Sequence, residues 1–155
     1  ETGFQSVWFN DKAWVIGGSI GGVPTNEVWS NDLGSNWQQE VSAEETFPAR
    51  QYPASVVWND KIWLTGGRDA SGAALDDVWS SENGKDWALV TDDAAFPAVF
   101  GHSMAVYEGK LYLIGGSENN DNKISDVWST EDGIEWRKAF SGQVDFTIEN
   151  KVIIR

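Results

Sequence analysis

Ile62-Trp63-Leu64-Thr65-Gly66-Gly67 is a short, nearly continuous apolar run closed by a double glycine. Val78-Trp79-Ser80 follows it, and a second tryptophan, Trp87, stands eight residues beyond Trp79. The same three landmarks occur on either side. The double glycines Gly17-Gly18, Gly66-Gly67 and Gly115-Gly116 are spaced by 49 and 49 residues. The Val-Trp-Ser triplets at Trp29, Trp79 and Trp128 are spaced by 50 and 49, and each is followed after eight residues by Trp37, Trp87 or Trp136. Phe-Pro-Ala occurs at Phe47 and again at Phe96. Separate landmarks that keep one period are the signature of an internal repeat, and a period in this range points to blades or solenoid units.

Each period reads as four short strands. The first is Phe4–Phe9, with counterparts Pro53–Trp58 and His102–Tyr107. Asn10-Asp11, Asn59-Asp60 and Glu108-Gly109 then supply two-residue turns suited to tight hairpins. The second strand, Ala13–Gly17, Ile62–Gly66 or Leu111–Gly115, has the unbroken apolar character of a strand covered on both faces. Its closing glycines fit a position where the backbone takes a positive φ or another chain passes close. The third strand carries Val-Trp-Ser and the fourth begins at the second tryptophan. No stretch combines helical periodicity with caps, so the chain is predicted to be all-β.

Between strands three and four, Ser30 to Trp37 fits Ser-x-Asp-x-Gly-x-x-Trp, and Ser80 to Trp87 and Ser129 to Trp136 fit the same frame with Glu82 and Glu131 in the acid position. An acid there can accept bonds from turn N–H groups. The tryptophan can fold back and bury roughly 150–250 Å². The double glycines, the Val-Trp-Ser strand and the second tryptophan together resemble the kelch repeat family, whose period is about 50 residues. The hairpin itself is similar to the Asp-box of sialidases and other propellers. The resemblance covers essentially residues 1–140. It implies β-propeller blades: three four-stranded antiparallel kelch-type units over 1–49, 50–98 and 99–147, with 148–155 starting a fourth in an incomplete ring. The family's Arg-x-x-His-Ser entry to the first strand is split between repeats. Arg50 stands in the second with Pro53 in the histidine place, His102-Ser103 stand in the third with Val99 in the arginine place, and the first has Glu1 and Phe4.

Composition sets the class of partner. The 155 residues are 41% hydrophobic, with ten tryptophans, no cysteine and a net charge of −13. Such a chain can build a core, and its charge repels nucleic acid and anionic membranes. Disulfides and thiolate metal sites are excluded. No apolar run approaches the roughly 20 residues of a membrane helix. The acidic, tryptophan-rich, cysteine-free style suggests a secreted or surface protein of a bacterium, and it also suits the cytosol. The chain opens on Glu1 without a leader, as a mature form, an excised piece or a fragment would. Glu149–Arg155 looks like the turn and second strand of a fourth repeat, after a connection eight or nine residues shorter than the others. Closed propellers have roughly four to eight blades, so further blades or another copy are expected to complete the ring.

The candidate site residues divide into frame and rim. The frame set is Gly17, Gly18, Gly66, Gly67, Gly115, Gly116, the tryptophans Trp29, Trp37, Trp79, Trp87, Trp128 and Trp136 as core, and Asp32, Glu82 and Glu131 as hairpin locks. His102, the single histidine, is read as structural, because a lone imidazole without clustered partners supports little chemistry. The rim set follows from topology. In an up-and-down blade the Asn-Asp turns and the acid hairpins share one rim. The connections after the double glycines share the other with the links between blades. Loops 19–25, 68–75 and 117–123 differ in length and charge over a constant frame, which is where recognition usually lies. Arg50, Arg68, Asp69, Glu118 and Asp121 are its polar candidates. Ser117–Lys123 is rich in oxygen but matches no complete calcium loop, so no metal, cofactor or catalytic residue is assigned. The expected function is a non-catalytic binding scaffold for a protein or glycan. The alternative is a piece of a kelch-type sugar oxidase or sialic-acid-handling enzyme whose catalytic residues lie elsewhere.

Overall fold

The computed structural model describes residues 2–140, 144–146 and 152–154, and no helix occurs among them. The strands are β1 (Gln5–Phe9), β2 (Lys12–Ile16), β3 (Ser19–Ile20), β4 (Val23–Pro24), β5 (Val28–Asn31), β6 (Gln38–Glu40), β7 (Ala54–Trp58), β8 (Lys61–Thr65), β9 (Val78–Ser81), β10 (Ala88–Thr91), β11 (Ser103–Tyr107), β12 (Lys110–Ile114), β13 (Val127–Thr130), β14 (Arg137–Phe140), β15 (Val144–Phe146) and β16 (Val152–Ile154). They form three four-stranded antiparallel sheets in the orders β1-β2-β5-β6, β7-β8-β9-β10 and β11-β12-β13-β14. These are three propeller blades in an open arc. A two-stranded sheet pairs β15 with β16, Val144 opposite Ile154. Residues 147–150 between them, where a further unit is expected to begin, lie outside the described residues.

The hairpins form for the reason their sequences suggest. Asn10 and Asp11 both take positive φ (48° and 59°), as do Asn59 and Asp60 (49° and 58°) and Glu108 and Gly109 (49° and 75°). That is the left-handed pair whose twist matches the flanking strands. The double glycines work between blades. Gly66 and Gly67 have φ of 58° and 103°. Gly67 N–H donates to Val99 O at 2.8 Å, and a Cβ on Gly66 would strike the Val99 carbonyl and the His102 ring. Gly18 N–H donates in the same way to Arg50 O at 2.8 Å. The first two double glycines are thus the points where the link into the next blade crosses, and a side chain there would meet its backbone.

Blades stack through two apolar layers. The first joins Phe9, Trp14, Ile16, Val28 and Phe47 of blade one and its link to Ile62, Leu64, Trp79 and Trp87 of blade two. The second joins Trp58, Trp63, Val78, Phe96 and Val99 to Leu111, Leu113 and Trp136 of blade three. Alternate residues of a strand face opposite sides of its sheet. On β8, Ile62 and Leu64 therefore pack on blade one, and Trp63 and Thr65 turn toward blade three. All four are buried. On β2 only Trp14 and Ile16 are buried, and on β12 only Leu111 and Leu113. The middle blade is covered on both faces. Among the described residues the outer blades are each covered on one.

This burial corrects one expectation. Trp87 and Trp136 are 4% exposed, but Trp37, at the same repeat position, is 46% exposed. Trp87 stacks edge-on against Phe47 at 5.2 Å and Trp136 against Phe96 at 5.0 Å. Each of those phenylalanines belongs to the link from the preceding blade. Trp37 has no preceding blade among the described residues, so the same side chain stands open. Trp29 and Trp128 are half-buried, and Trp79 is buried.

Candidate functional site

The hairpins between strands three and four set one rim. Their lock lies one residue later than the sequence frame placed it. In blade two, Ser81 Oγ accepts from Gly84 N–H at 2.8 Å, and Asn83 Oδ1 accepts from the N–H groups of Lys85 and Asp86. In blade three, Thr130 Oγ1 accepts from Gly133 N–H at 2.8 Å, and Asp132 Oδ1 accepts from Ile134 and Glu135. Those backbone bonds hold the Asp132 carboxyl below its usual range, Glu135 N–H first. Glu82 and Glu131 are not locks. They point outward to Lys61 and Lys110 as exposed ion pairs at 3.6 and 3.2 Å. In blade one Asp32 does serve the turn, accepting from Ser35 Oγ and Gly34 N–H, and Asn31 adds a bond from Leu33 N–H. There Leu33, not Gly34, takes the positive φ.

A shallow polar cleft on this rim is lined by Lys110, Thr130, Glu131, Asp132 and Arg137. A similar cleft in blade two is lined by Lys61, Ser80, Glu82 and Asn83. Clefts that recur at equivalent positions belong to the repeat frame. They do not distinguish one blade from another.

The opposite rim is where the blades differ. After each double glycine the chain pairs with the link entering its own blade: Ser19 with Thr2, Arg68 with Gln51, Ser117 with Phe100. This ladder gathers the three loops and the blade links on one surface, as the topology argument expected. Arg68 and Asp69 sit here, half-buried. The Arg68 guanidinium lies over the Phe100 ring at 4.5 Å, and its Nε donates to Gly72 O at 3.2 Å. Among the described residues it has no carboxylate partner. Asp69 Oδ1 accepts from Ser71 N–H, Ser71 Oγ and Ala73 N–H, and its carboxyl is held low, chiefly by the Ser71 hydroxyl.

Glu118 and Asp121 lie in the blade-three loop. Glu118 N–H donates to Asn122 O and Asp121 N–H to Glu118 O, the same bonds that close the turn at Asp69 and Gly72. The two loops share a backbone pattern that their side chains did not reveal. Asn119 Oδ1 then accepts from Ala74 N–H at 2.6 Å and ties one loop to the other. Among the described residues no group of three His, Cys, Asp or Glu could hold a metal ion.

Arg50 is withdrawn from this surface. It is fully buried, and its fork meets Asp77 in two bonds of 2.6 and 2.7 Å. Nη1 also reaches Gly66 O at 3.0 Å, and Nε reaches Pro48 O at 3.0 Å. Asp77 Oδ2 accepts Trp79 Nε1–H as well. With its donors engaged in this way, Arg50 is a bracket between link and blade, not a contact for a ligand. His102 is buried too. Nε2 bonds Thr65 Oγ1 at 2.8 Å, and burial pushes the imidazole pKa down to about 3, so the ring is neutral at ordinary pH.

Sequence reasoning missed Tyr52. It is 42% exposed on the loop rim at a φ of +55°. Gly3 and Gly101 hold the equivalent positions with φ of 65°. Tyr52 N–H donates to Gly3 O and Gly101 N–H donates to Tyr52 O, so the three residues form a continuous track. A bulky residue at positive φ is uncommon and costs about 1–2 kcal/mol. The signal was present in the alignment as a tyrosine where both other repeats keep glycine. Ile20 and Val23, facing each other across the β3–β4 turn, add an exposed apolar tip to the same rim.

No helix among the described residues is long and apolar enough to cross a membrane. No curated protein matches the chain. The family model for the KLHDC2/KLHL20/DRC7 Kelch-repeats domain matches residues 3–139. That span takes in all three blades, their double glycines and their paired tryptophans, and the chain belongs to the kelch-repeat family.

Proposed function

We propose that this propeller segment is a non-catalytic scaffold that binds a protein partner through the rim formed by loops 19–25, 68–75 and 117–123. Kelch repeats generally mediate protein interactions, and the coarse reading follows from membership. The finer one rests on a single observation: the loop rim carries a guanidinium, Arg68, held over Phe100 without a carboxylate partner among the described residues, and its backbone pairs with Gln51, the residue before exposed Tyr52 at positive φ. Arginine and tyrosine are the side chains that most often dominate protein interfaces. The exposed Tyr52 ring also supports a second reading, a glycan stacked at this rim. The composition adds a secreted or surface location to the proposal.

The test uses affinity capture followed by titration of the purified partner, with a glycan array in parallel. Arg68→Ala and Tyr52→Ala are each expected to weaken binding by about tenfold or more, as loss of an interface anchor does. Asp132→Ala on the other rim is expected to leave affinity unchanged. Binding that survives the first two variants and is lost with Asp132→Ala puts the functional face on the hairpin rim.

A further inference from the structure

Asn83-Gly84 and Asp132-Gly133 are the places in the sequence where an asparagine or an aspartate precedes a glycine. Both stand at the same point of the hairpin between strands three and four, in blades two and three. At such a pair a chain can modify its own backbone. The glycine nitrogen, once it has lost its proton to solvent, can attack the side-chain carbonyl carbon of the residue before it, because glycine carries no side chain to shield it. At Asn83 the new C–N bond closes a five-membered succinimide, and the side-chain nitrogen leaves as ammonia. Water then adds to one of the two ring carbonyls and leaves either aspartate or a β-linked isoaspartate.

In the folded hairpin every group of that reaction is engaged elsewhere. The attacking group, Gly84 N–H, donates to Ser81 Oγ at 2.8 Å, and both residues are buried. Asn83 Oδ1, on the carbon to be attacked, accepts from Lys85 N–H at 2.9 Å and from Asp86 N–H at 2.8 Å. The leaving nitrogen, Asn83 Nδ2, donates to Asp86 Oδ2 at 3.0 Å. That amide is the first cause holding the Asp86 carboxyl below its usual range, so the acceptor stays ionised at neutral pH. The turn has no room to shift. Trp87 Nε1 donates to Gly84 O at 3.1 Å, and a Cβ on Gly84 would strike the Trp14 ring of blade one.

The hydroxyl accompanies the reactive pair. In blade three Thr130 Oγ1 accepts from Gly133 N–H at 2.8 Å. The Asp132 carboxyl there is held low by backbone bonds, and an ionised carboxylate is a poor target for attack. In blade one the residue before Gly34 is Leu33, which cannot form the ring, and Gly34 N–H turns to Asp32 Oδ1 instead of a hydroxyl.

We propose that Asn83-Gly84 is a self-modification site of this chain, and that the Ser81 hydroxyl holds it closed in the folded hairpin. Reaction then waits on local opening, and its rate follows the population of the opened turn. The two products differ in consequence. Aspartate at position 83 keeps the turn acceptor, as Asp132 does in blade three. Isoaspartate adds an atom to the backbone, displaces that acceptor and lifts Gly84 from the Trp14 ring, so the change reaches the layer between blades one and two.

Peptide mass mapping of the full chain, incubated at neutral pH in buffer and in denaturing urea, tests this. Deamidation changes the mass of the peptide that holds residue 83, and chromatography separates isoaspartate from aspartate. Asn83 is expected to react at least about tenfold faster in urea than in the fold. Ser81→Ala leaves Gly84 N–H without its acceptor and is expected to speed the reaction in buffer by about tenfold. Ser81→Thr, which places in blade two the residue type blade three uses, is expected to keep the wild-type rate. Asp86→Ala frees the Asn83 amide without altering a buried group, and is expected to speed the reaction by about threefold even where Ser81→Ala loosens the whole hairpin. Equal rates in buffer and urea overturn the proposal, as does an Asn83 that stays intact in urea. A wild-type rate in Ser81→Ala overturns it too.

Discussion

Replacing Arg50 by methionine keeps much of the stem but strands the Asp77 carboxylate and the Gly66 carbonyl that its guanidinium serves. Breaking a buried pair from one side costs about 3–5 kcal/mol, because the surviving charge keeps its desolvation penalty. Arg50→Met is expected to fall in that range in urea denaturation, and adding Asp77→Asn is expected to recover part of the loss. An Arg50→Met protein as stable as the wild type would show that this buried pair is not what ties the link to the blade. His102 gives a pH signature at the same scale. Burial disfavours the charged ring and lowers its pKa from the ordinary 6.5 to about 3 in the fold. The unfolded chain takes up the proton first, so the contribution of neutral His102 is complete above pH 6.5 and is lost as pH falls toward 3. Between pH 6.5 and 4.5 the expected loss is about 2–3 kcal/mol. Asp76, whose carboxyl burial raises, works in the opposite direction at the acid end. His102→Gln is expected to flatten the slope in denaturation curves taken at several pH values. An unchanged slope assigns the acid sensitivity to other groups.

At the scale of elements the hairpin and its tryptophan act as one device, and their contributions separate by position. Trp87 Nε1 donates to Gly84 O at 3.1 Å and Trp136 Nε1 to Gly133 O at 3.1 Å, so each ring is pinned to the turn that carries it. Trp87→Ala is expected to cost about 3–5 kcal/mol, the range for a buried aromatic. Trp37→Ala is expected to cost about 1 kcal/mol or less in the single chain. Thr130→Val is expected to cost about 1–2 kcal/mol by leaving Gly133 N–H unpaired, while Glu131→Ala stays within about 0.5 kcal/mol as an exposed pair. Thermal denaturation of the four variants gives the order, and a larger effect for Glu131→Ala would restore the earlier frame. These contrasts mark what was legible in the sequence. The four strands of each blade, the left-handed Asn-Asp turns and the special backbone of the double glycines follow from local chemistry, whereas the β3–β4 pair lies where the sequence suggests only a loop. The lock departs from the Ser-x-Asp-x-Gly frame because that frame starts at the serine of Val-Trp-Ser. In blades two and three the hydroxyl that caps the turn belongs to the next residue, Ser81 or Thr130, and in blade one Asn31 fills that place. Trp37 and Arg50 depart from the expectation for a different reason. Their environment is made by a neighbouring blade or link, and a repeat frame assigns equal surroundings to residues whose neighbours differ. Tyr52 escaped because its departure from glycine is visible only when three repeats are compared at a position with no other signature.

The whole molecule is a stack of units whose stability lies in the layers between them. In such an array each unit draws on its own packing and on each neighbour it touches. Blade two touches two, and blades one and three touch one each among the described residues. Backbone amides in well-paired strands exchange with solvent only when the unit opens, so their protection reports local stability. Ile62 to Thr65 are buried on both faces of β8, whereas β2 and β12 each leave alternate residues partly open. Slowest exchange is therefore expected on β8, with β2 and β12 faster although their hydrogen-bond ladders are equivalent. Equal protection in all three blades would mean that the sheets hold themselves together without their neighbours, and the interblade layers would lose their place as the source of stability.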